Sequence, residues 1–101
     1  MIVDRNHATR NGEVDLVCRD GGVLCFVEVR SRSDDAHGRP EESVDRRKAL
    51  RVVAAATDWA RRHGALDDDI RFDVLAVRGE GDGAAFELFQ AAFDASGGAA
   101  G

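Results

Sequence analysis

Three acidic residues and one arginine interrupt two apolar segments in the first third of the chain. Glu13 and Asp15 lie in the segment GEVDLV, and Glu28 and Arg30 lie in the segment FVEVR. A carboxylate inside an apolar strand is costly unless a partner, a metal ion or a reaction compensates for it. Three carboxylates and a guanidinium on one face can hold a divalent metal ion against a phosphodiester. The pattern therefore predicts a nuclease-type site.

The two segments are predicted to pair as a β-hairpin, because the glycines between them are typical of a two-residue turn. Side chains alternate between the two faces of a strand. A turn at Gly21-Gly22 places Asp15 opposite Glu28, and a turn one residue earlier places Glu13 opposite Glu28. Either turn keeps the four charged side chains on one face. The opposite face is apolar and consists of Val14, Leu16, Cys18, Cys25, Val27 and Val29.

The composition describes a small protein without an overall attraction for nucleic acid. The chain has 101 residues, 44% of them hydrophobic, which is typical of one small domain. Its net charge of −5 argues against a protein that coats DNA non-specifically. We find neither a membrane-spanning segment nor a signal-peptide pattern, so a cytoplasmic protein without a membrane partner is expected. The two cysteines are expected to be reduced core residues, although the turn at Gly21-Gly22 places Cys18 opposite Cys25 and leaves a disulfide open.

Apolar periodicity and turn residues predict the remaining elements. We expect a short strand over 1–4, a polar turn over 6–11, the hairpin over 13–32, a loop over 33–42, a helix, a strand over 70–77, a turn over 79–83 and an edge strand over 86–89. The strand over 70–77 should lie parallel to the second hairpin strand, because strand–helix–strand crossovers are right-handed. The predicted fold is an α/β sandwich with a mixed sheet and the order β-β-β-α-β-β. It forms one domain over 1–95, followed by a flexible tail over 96–101.

The helix is predicted to begin at Ser43 or Val44 and to end at His63. Ser43 is a candidate N-cap, and Gly64 is a candidate terminator. A stripe of apolar residues along one side of the helix is expected to face the core. The stripe consists of Leu50, Val53, Thr57 and Ala60, flanked by Ala49, Val52, Ala56 and Trp59.

The candidate nucleic-acid contacts are basic residues close to the start of this helix. They are Arg32, Arg46, Arg47, Lys48 and Arg51. Basic side chains near a helix N-terminus are unfavourable with the helix dipole, which suggests a use other than helix stability. Lys48 could also reach the polar face of the hairpin and supply an ammonium there. The alternative is a solvated helix face, just as a cross-strand salt-bridge ladder is the alternative for the charged hairpin face.

Several motifs, in order along the chain, resemble the YraN-like family of small, largely uncharacterised bacterial proteins. The motifs are Asn6, GEVDLV from Gly12, FVEVRSR from Phe26, Gly38-x-Pro40-Glu41-Glu42, Lys48 and RFDV from Arg71. The resemblance covers about residues 6–93, which is nearly the whole chain. It implies a restriction-endonuclease-like fold, similar to that of Holliday-junction resolvases, with a nuclease site of the D…E-x-K type.

The resemblance implies a role for each residue of the hairpin site. Asp15 and Glu28 become ligands of Mg²⁺ or Mn²⁺, with the Val29 carbonyl as a further ligand. Glu13 becomes an accessory catalytic carboxylate, and Arg30 stands where the family usually has a lysine. A guanidinium keeps its proton in a protein, so Arg30 can hold a phosphate but cannot act as a general base.

Three functions are compatible with these residues. The first is a divalent-metal-dependent endodeoxyribonuclease acting on branched or structured DNA. The second is a non-catalytic nucleic-acid-binding or assembly module with a degenerate nuclease site, and the third is a scaffold domain whose polar face is a salt-bridge ladder. The resemblance also implies an N-terminal helix before the first strand, with which this chain does not begin. We therefore expect exposed apolar surface beside that strand and a symmetric homodimer.

Overall fold

Five strands among the described residues form one mixed sheet, and their spatial order is the same as their order along the chain. The computed structural model describes residues 1–32 and 45–98. The elements are β1 (Ile2–Thr9), β2 (Gly12–Asp20), β3 (Val23–Arg32), α1 (Arg46–Arg62), β4 (Asp69–Arg78) and β5 (Ala85–Phe93), with a short 3-10 helix at Gly81–Gly83 before β5. The predicted mixed α/β class is confirmed. The predicted loop over 33–42 lies outside the described residues. The helix begins at Arg46 with Asp45 as its N-cap, so the predicted start at Ser43 or Val44 and the N-cap role of Ser43 are wrong.

The β2–β3 hairpin has the register predicted for a turn at Gly21-Gly22. Asp20 pairs with Val23, and Cys18 pairs with Cys25. Gly21 has a φ of 60°, which favours glycine and suits a tight hairpin turn. Both cysteines are free thiols; Cys25 is buried, whereas Cys18 is only partly buried.

β1 extends through much of the segment that was predicted to be a polar turn. It spans Ile2–Thr9 and pairs antiparallel with β2. Its polar residues have partners on α1, because Asp4 accepts a hydrogen bond from Trp59 Nε1 at 2.8 Å and His7 Nε2 contacts Asp58 Oδ2 at 2.9 Å. The turn prediction is therefore wrong for most of this segment, since local polarity does not reveal partners 51 and 55 residues away.

β4 lies parallel to β3, as the crossover predicted, and α1 packs over one face of the sheet. The register of the two strands runs from Val23 with Asp69 to Arg32 with Arg78. Phe26 belongs to the core under α1, with its ring edge-on to Trp59 at 5.9 Å. The core cluster consists of Val14, Val17, Leu24, Phe26, Phe72, Val74 and Phe93 from the sheet, Ala49, Val52, Ala55, Ala56, Trp59 and Ala60 from α1, and Ala65.

The two ends of α1 are capped by side chain and backbone. Asp45 is the N-cap, and its Oδ1 accepts a hydrogen bond from Lys48 N at 2.9 Å. His63 is the C-cap, and Gly64 follows with a φ of 66°, which confirms the predicted terminator. Within the described part of the chain, no helix is long and apolar enough to cross a membrane.

The buried side of α1 differs from the predicted stripe at three positions. Leu50 is 38% exposed and Thr57 is exposed, whereas Ala55 is fully buried. Alanines predominate on the side that faces the sheet, and their small side chains let the helix approach it closely. Periodicity alone predicted that the side with the larger Leu50 is buried. On an alanine-rich helix, the size of the apolar side chains does not show which side lies closer to the sheet.

β5 carries a bulge that is held by the side chain of Asp73, within the RFDV motif. The β4–β5 register shifts between Phe72 and Val74. Ala91 has a φ of 52°, and its N–H donates to Asp73 Oδ1 at 3.0 Å. Arg71 holds the same carboxylate through Nε and Nη2 at 2.8 and 2.9 Å. Since Asp73 is only 1% exposed, this part of the motif has a structural role in the edge strand.

Ser96 and Gly97, in the predicted tail, contact the start of α1. Arg46 Nε donates to the Ser96 carbonyl oxygen at 3.2 Å. Gly97 is buried, and a Cβ at this position would lie 2.9 Å from Leu50 Cγ. The flexibility of the tail over 96–101 stays a prediction.

Candidate active site

The acidic site lies where β2 and β3 stop pairing. The last pair of their register joins Leu16 and Val27. Beyond it, the Val29 N–H donates to Asp15 Oδ2 at 2.8 Å. A side-chain oxygen of Asp15 therefore occupies the place that a backbone carbonyl takes in an unbroken antiparallel ladder. This hydrogen bond fixes the Asp15 carboxylate against β3.

The β1–β2 pair bends next to Asp15. Asn6, which lies opposite Asp15 between two registered pairs, has a φ of 56°. Val14 and Val17 are both fully buried in the core under α1, although residues three apart in a regular strand face opposite sides. The alternation of side chains along β2 therefore changes phase between Val14 and Val17.

This bend separates Glu13 from the other charged residues of the predicted site. Gly12 faces α1 so closely that an added Cβ would lie 1.9 Å from the Arg51 carbonyl oxygen. Val14 is buried on the same side, so Glu13 between them is exposed on the opposite side. The expectation of one shared charged face is corrected for Glu13, and Val14 does not belong to the second apolar face. Strict alternation does not continue through the bend.

The other side of the sheet keeps most of its predicted apolar character. Leu16, Cys18, Cys25 and Val27 line one cavity there, of about 320 Å³. Burial raises the pKa of both cysteine thiols above their usual range. These thiols are therefore apolar surface in the reduced protein, and not nucleophiles.

Glu28 is a buried acid beside Asp15. Glu28 is only 9% exposed. Burial first, and then the negative charge of Asp15, raises the pKa of Glu28 to about 7, although Lys48 and Arg30 act in the opposite direction. Burial and the charge of Asp15 therefore favour the neutral form of Glu28.

Two cations reach the acidic pair from different elements. Lys48 lies in the first turn of α1, and Arg30 follows Glu28 by two residues on the same face of β3. Both are partly buried, and the charge of Lys48 acts on Glu28 more strongly than that of Arg30. The helix therefore brings an ammonium group to the acidic pair, as the sequence suggested.

The donor groups suit Mg²⁺ or Mn²⁺ better than a metal ion that needs a closed protein cage. Among the described residues, no group of three or more His, Cys, Asp or Glu side chains could hold a metal ion. Mg²⁺ needs only one or two carboxylates, because waters and substrate phosphates complete its shell. Asp15 and Glu28 provide that number. The Val29 carbonyl also points toward β2, because the N–H and carbonyl of a strand residue face the same neighbour.

The predicted nucleic-acid contacts do not all lie in one place in the structure. Arg47, Lys48 and Arg51 line a shallow cavity of about 290 Å³ together with Asp45. Arg46 is directed away from this group, because its Nε donates to Ser96 in the C-terminal segment. The last predicted member, Arg32, is the final residue of β3.

A second charged group on α1 was missed by the sequence analysis. Asp58 contacts His7 of β1 and also Arg61 and Arg62 of its own helix. The spacing of Asp58 from the two arginines, three and four residues, is a recognisable signal for such contacts. The contact with His7 carries no local signal, since it joins residues 51 positions apart.

Comparison with known proteins identifies the family of the chain. The model of the uncharacterised protein family UPF0102 matches residues 1–77. A UPF0102 protein of Anaeromyxobacter sp. (strain Fw109-5) is 64% identical over 96 residues, which are 95% of this chain and 72% of that protein. UPF0102 proteins of Chromohalobacter salexigens and Geobacter sulfurreducens are 45% and 46% identical; they align with 93% and 75% of this chain, and with 76% and 59% of their own lengths. The chain belongs to the uncharacterised protein family UPF0102.

Proposed function

We propose that this chain is a metal-dependent, nuclease-like protein that hydrolyses phosphodiester bonds in branched or structured DNA. The observation that carries the proposal is the acidic pair of Asp15 and Glu28. Glu28 is buried, and its pKa is raised to about 7 despite two cations close by. Acids with strongly perturbed pKa values concentrate at functional sites, and a divalent cation would relieve the repulsion between these two carboxylates.

A salt-bridge ladder, the simplest alternative, has the opposite electrostatic signature. In a ladder the cation stabilises the ionised acid and lowers its pKa. The pKa of Glu28 is instead raised, because burial and Asp15 together outweigh Lys48 and Arg30. The pair is therefore poorly suited to stabilising the metal-free fold, which favours a binding or catalytic use.

The arrangement of elements supports the restriction-endonuclease-like fold that the motif resemblance implies. An antiparallel hairpin carries both acids, and a crossover through α1 leads to the parallel strand β4. The hairpin opens at Asp15, so the acids lie at a gap in the ladder and not under continuous backbone.

Each charged residue has a distinct part in the proposed reaction. Asp15, Glu28 and the Val29 carbonyl would hold Mg²⁺ or Mn²⁺, which when bound activates water and stabilises charge on the phosphoryl group. Lys48 would take the part of the lysine in the D…E-x-K motif and contact the phosphate as a point charge. Arg30 would hold a phosphate oxygen through its N–H donors.

A cleavage screen tests the proposal. Linear, flapped and four-way DNA would be incubated with the protein in Mg²⁺ and in Mn²⁺, with EDTA as the metal-free control. We expect cleavage of the flapped or four-way DNA in either metal and none in EDTA. If no DNA is cut in Mn²⁺, the catalytic proposal fails. A non-catalytic nucleic-acid-binding or assembly module, which the arginine at position 30 favours, then takes its place.

Substitution of Arg30 separates phosphate contact from a merely structural ion pair. Arg30→Lys should keep or raise the cleavage rate, because an ammonium can do the same electrostatic work. Arg30→Ala should lower the rate on the order of a hundredfold, the scale for losing one preorganised charge-stabilising group. The rate would be measured with saturating DNA and metal ion.

Arg5→Ala is the matched control for Arg30→Ala, because it removes the same charge from an exposed position on β1. It should leave the cleavage rate unchanged. If Arg30 is only an ion-pair partner, Arg30→Ala will also leave cleavage unchanged and will alter the free energy of unfolding by at most about 1 kcal/mol. That result would remove Arg30 from the proposed site.

A further inference from the structure

A basic cavity lies between the β1–β2 turn and the C-terminal half of α1. We call it the turn pocket. Its charged and polar lining consists chiefly of His7, Arg10, Asn11, Asp58, Arg61 and Arg62, and its volume is about 760 Å³. None of these residues belongs to the acidic pair or to the basic group at the start of α1.

Asp58 organises the cations of the turn pocket. Its side chain is 14% exposed and accepts hydrogen bonds from Arg62 Nε at 2.8 Å and from Arg61 Nη2. His7 Nε2 lies 2.9 Å from the same carboxylate. The hydrogen bond with His7 and the contacts with the arginines lower the pKa of Asp58, so the carboxylate stays ionised. It therefore holds two guanidinium groups at the wall of the cavity.

The charge of the turn pocket is opposite in sign to that of the whole chain. Arg10, Arg61 and Arg62 carry three positive charges and Asp58 carries one negative charge, which leaves about two positive charges with His7 neutral, against −5 for the chain. Each guanidinium has five N–H donors, of which the contacts with Asp58 use a minority. Forked donors of this kind recognise phosphate groups in particular.

The position of the turn pocket relates it to the acidic pair. Asn11 at its edge directly precedes Gly12, which packs against the Arg51 carbonyl of α1. Asp15 lies four residues beyond Asn11, which is no more than roughly 13 Å along a strand. One bound DNA can therefore reach both the turn pocket and the acidic pair.

We propose that the turn pocket binds a second backbone phosphate of the DNA whose scissile phosphate is held at the acidic pair. This inference rests on the proposed function, which it deepens by assigning a second phosphate contact. Arg10 and Arg62 contact the phosphate directly. Asp58 is a positioning residue that keeps the Arg62 guanidinium at the cavity wall.

The experiment measures how the affinity for four-way DNA depends on salt in EDTA, where no cleavage occurs. The slope of log K against log salt concentration reports the number of phosphate contacts. Arg10→Gln and Arg62→Gln should each weaken binding and reduce the steepness of this slope by about 1. Arg10→Gln leaves the contacts of Asp58 in place, so its effect does not depend on the integrity of that cluster.

Arg5→Gln serves as the matched control, since Arg5 is an exposed arginine of β1 that pairs with Leu16 and does not line the turn pocket. It should leave the slope unchanged. If both pocket variants keep the wild-type slope, the turn-pocket inference is overturned while the nuclease proposal stands. If the slope falls as expected but the wild-type protein cuts no DNA in Mn²⁺, the turn pocket is supported and the nuclease proposal fails.

Pyrophosphate distinguishes DNA from a small free anion as the occupant. It would be titrated into the wild-type protein and into Arg10→Gln by calorimetry. Weak binding of pyrophosphate that competes with DNA, and that is lost in Arg10→Gln, supports the inference. Binding of pyrophosphate that requires Arg10, in a protein that binds no DNA at low salt, overturns both the DNA contact and the nuclease proposal.

Discussion

Asp15→Asn and Glu28→Gln should each lower DNA cleavage on the order of a thousandfold, the upper range for losing one group that stabilises transition-state charge. Both substitutions preserve side-chain volume. Asp15→Asn should disturb the fold little, because an amide oxygen at position 15 can still accept the hydrogen bond that Val29 N–H donates to Asp15. What each variant loses is a negative charge that attracts a divalent cation.

The measurement is the cleavage rate in saturating Mn²⁺, together with Mn²⁺ affinity by calorimetry. We expect both quantities to fall in the two variants. Glu13→Gln is the matched control, because it removes a carboxylate from the same strand on the exposed opposite side. Its rate should stay within about twofold of wild type, as for surface substitutions away from special features. Wild-type cleavage by Asp15→Asn would place the active site elsewhere.

Glu28→Gln should also stabilise the metal-free protein at about pH 8. The ordinary pKa of Glu28 is 4.5, and in the folded protein it is about 7. The folded state therefore holds the proton more tightly than the unfolded state does. Its contribution to stability is fully present below about pH 4.5 and is lost as the pH rises through about 7. Glutamine stays neutral and avoids this loss.

We expect the free energy of unfolding to rise by about 2 kcal/mol at about pH 8. The full shift in pKa represents roughly 3 kcal/mol, and solvent screening reduces that value. At about pH 5 the two proteins should differ little, since Glu28 is then mostly protonated. Urea unfolding in EDTA at both pH values measures the difference. Glu13→Gln, which lies on the exposed opposite side, should show no such gain. Destabilisation by Glu28→Gln at both pH values would mean that Glu28 stabilises the fold as an ion-pair partner.

The parts of the fold that could be predicted are those with a local signal. The glycine pair after Asp20 determined the hairpin register from Asp20 with Val23 to Leu16 with Val27. The helix terminator at Gly64 was also readable, because a helix end favours a residue that tolerates positive φ. The parallel pairing of β3 and β4 followed from chain connectivity alone.

The parts that could not be predicted depend on contacts between distant residues. Glu13 lies on the other side of the sheet from the predicted one because β2 bends next to it. The bend lies where Asp15 accepts the hydrogen bond from the Val29 N–H and where Asn6 has a positive φ. Nothing in the alternation of residue types reports that bend. Asp58 similarly owes one of its contacts to His7, on a strand far away in the chain.

The two outer strands share a feature with consequences for how copies of this chain meet. Asn6 in β1 and Ala91 in β5 both have positive φ without being glycine, so neither outer strand offers a straight row of backbone donors and acceptors. Neighbouring molecules would find no flat edge on which to continue the sheet, which guards against fibrous polymerisation at high concentration. Any association between copies of this chain would then have to form by packing of surfaces, for which the half-exposed Ile2 and Leu88 are available beside the cavity on the open side of the sheet.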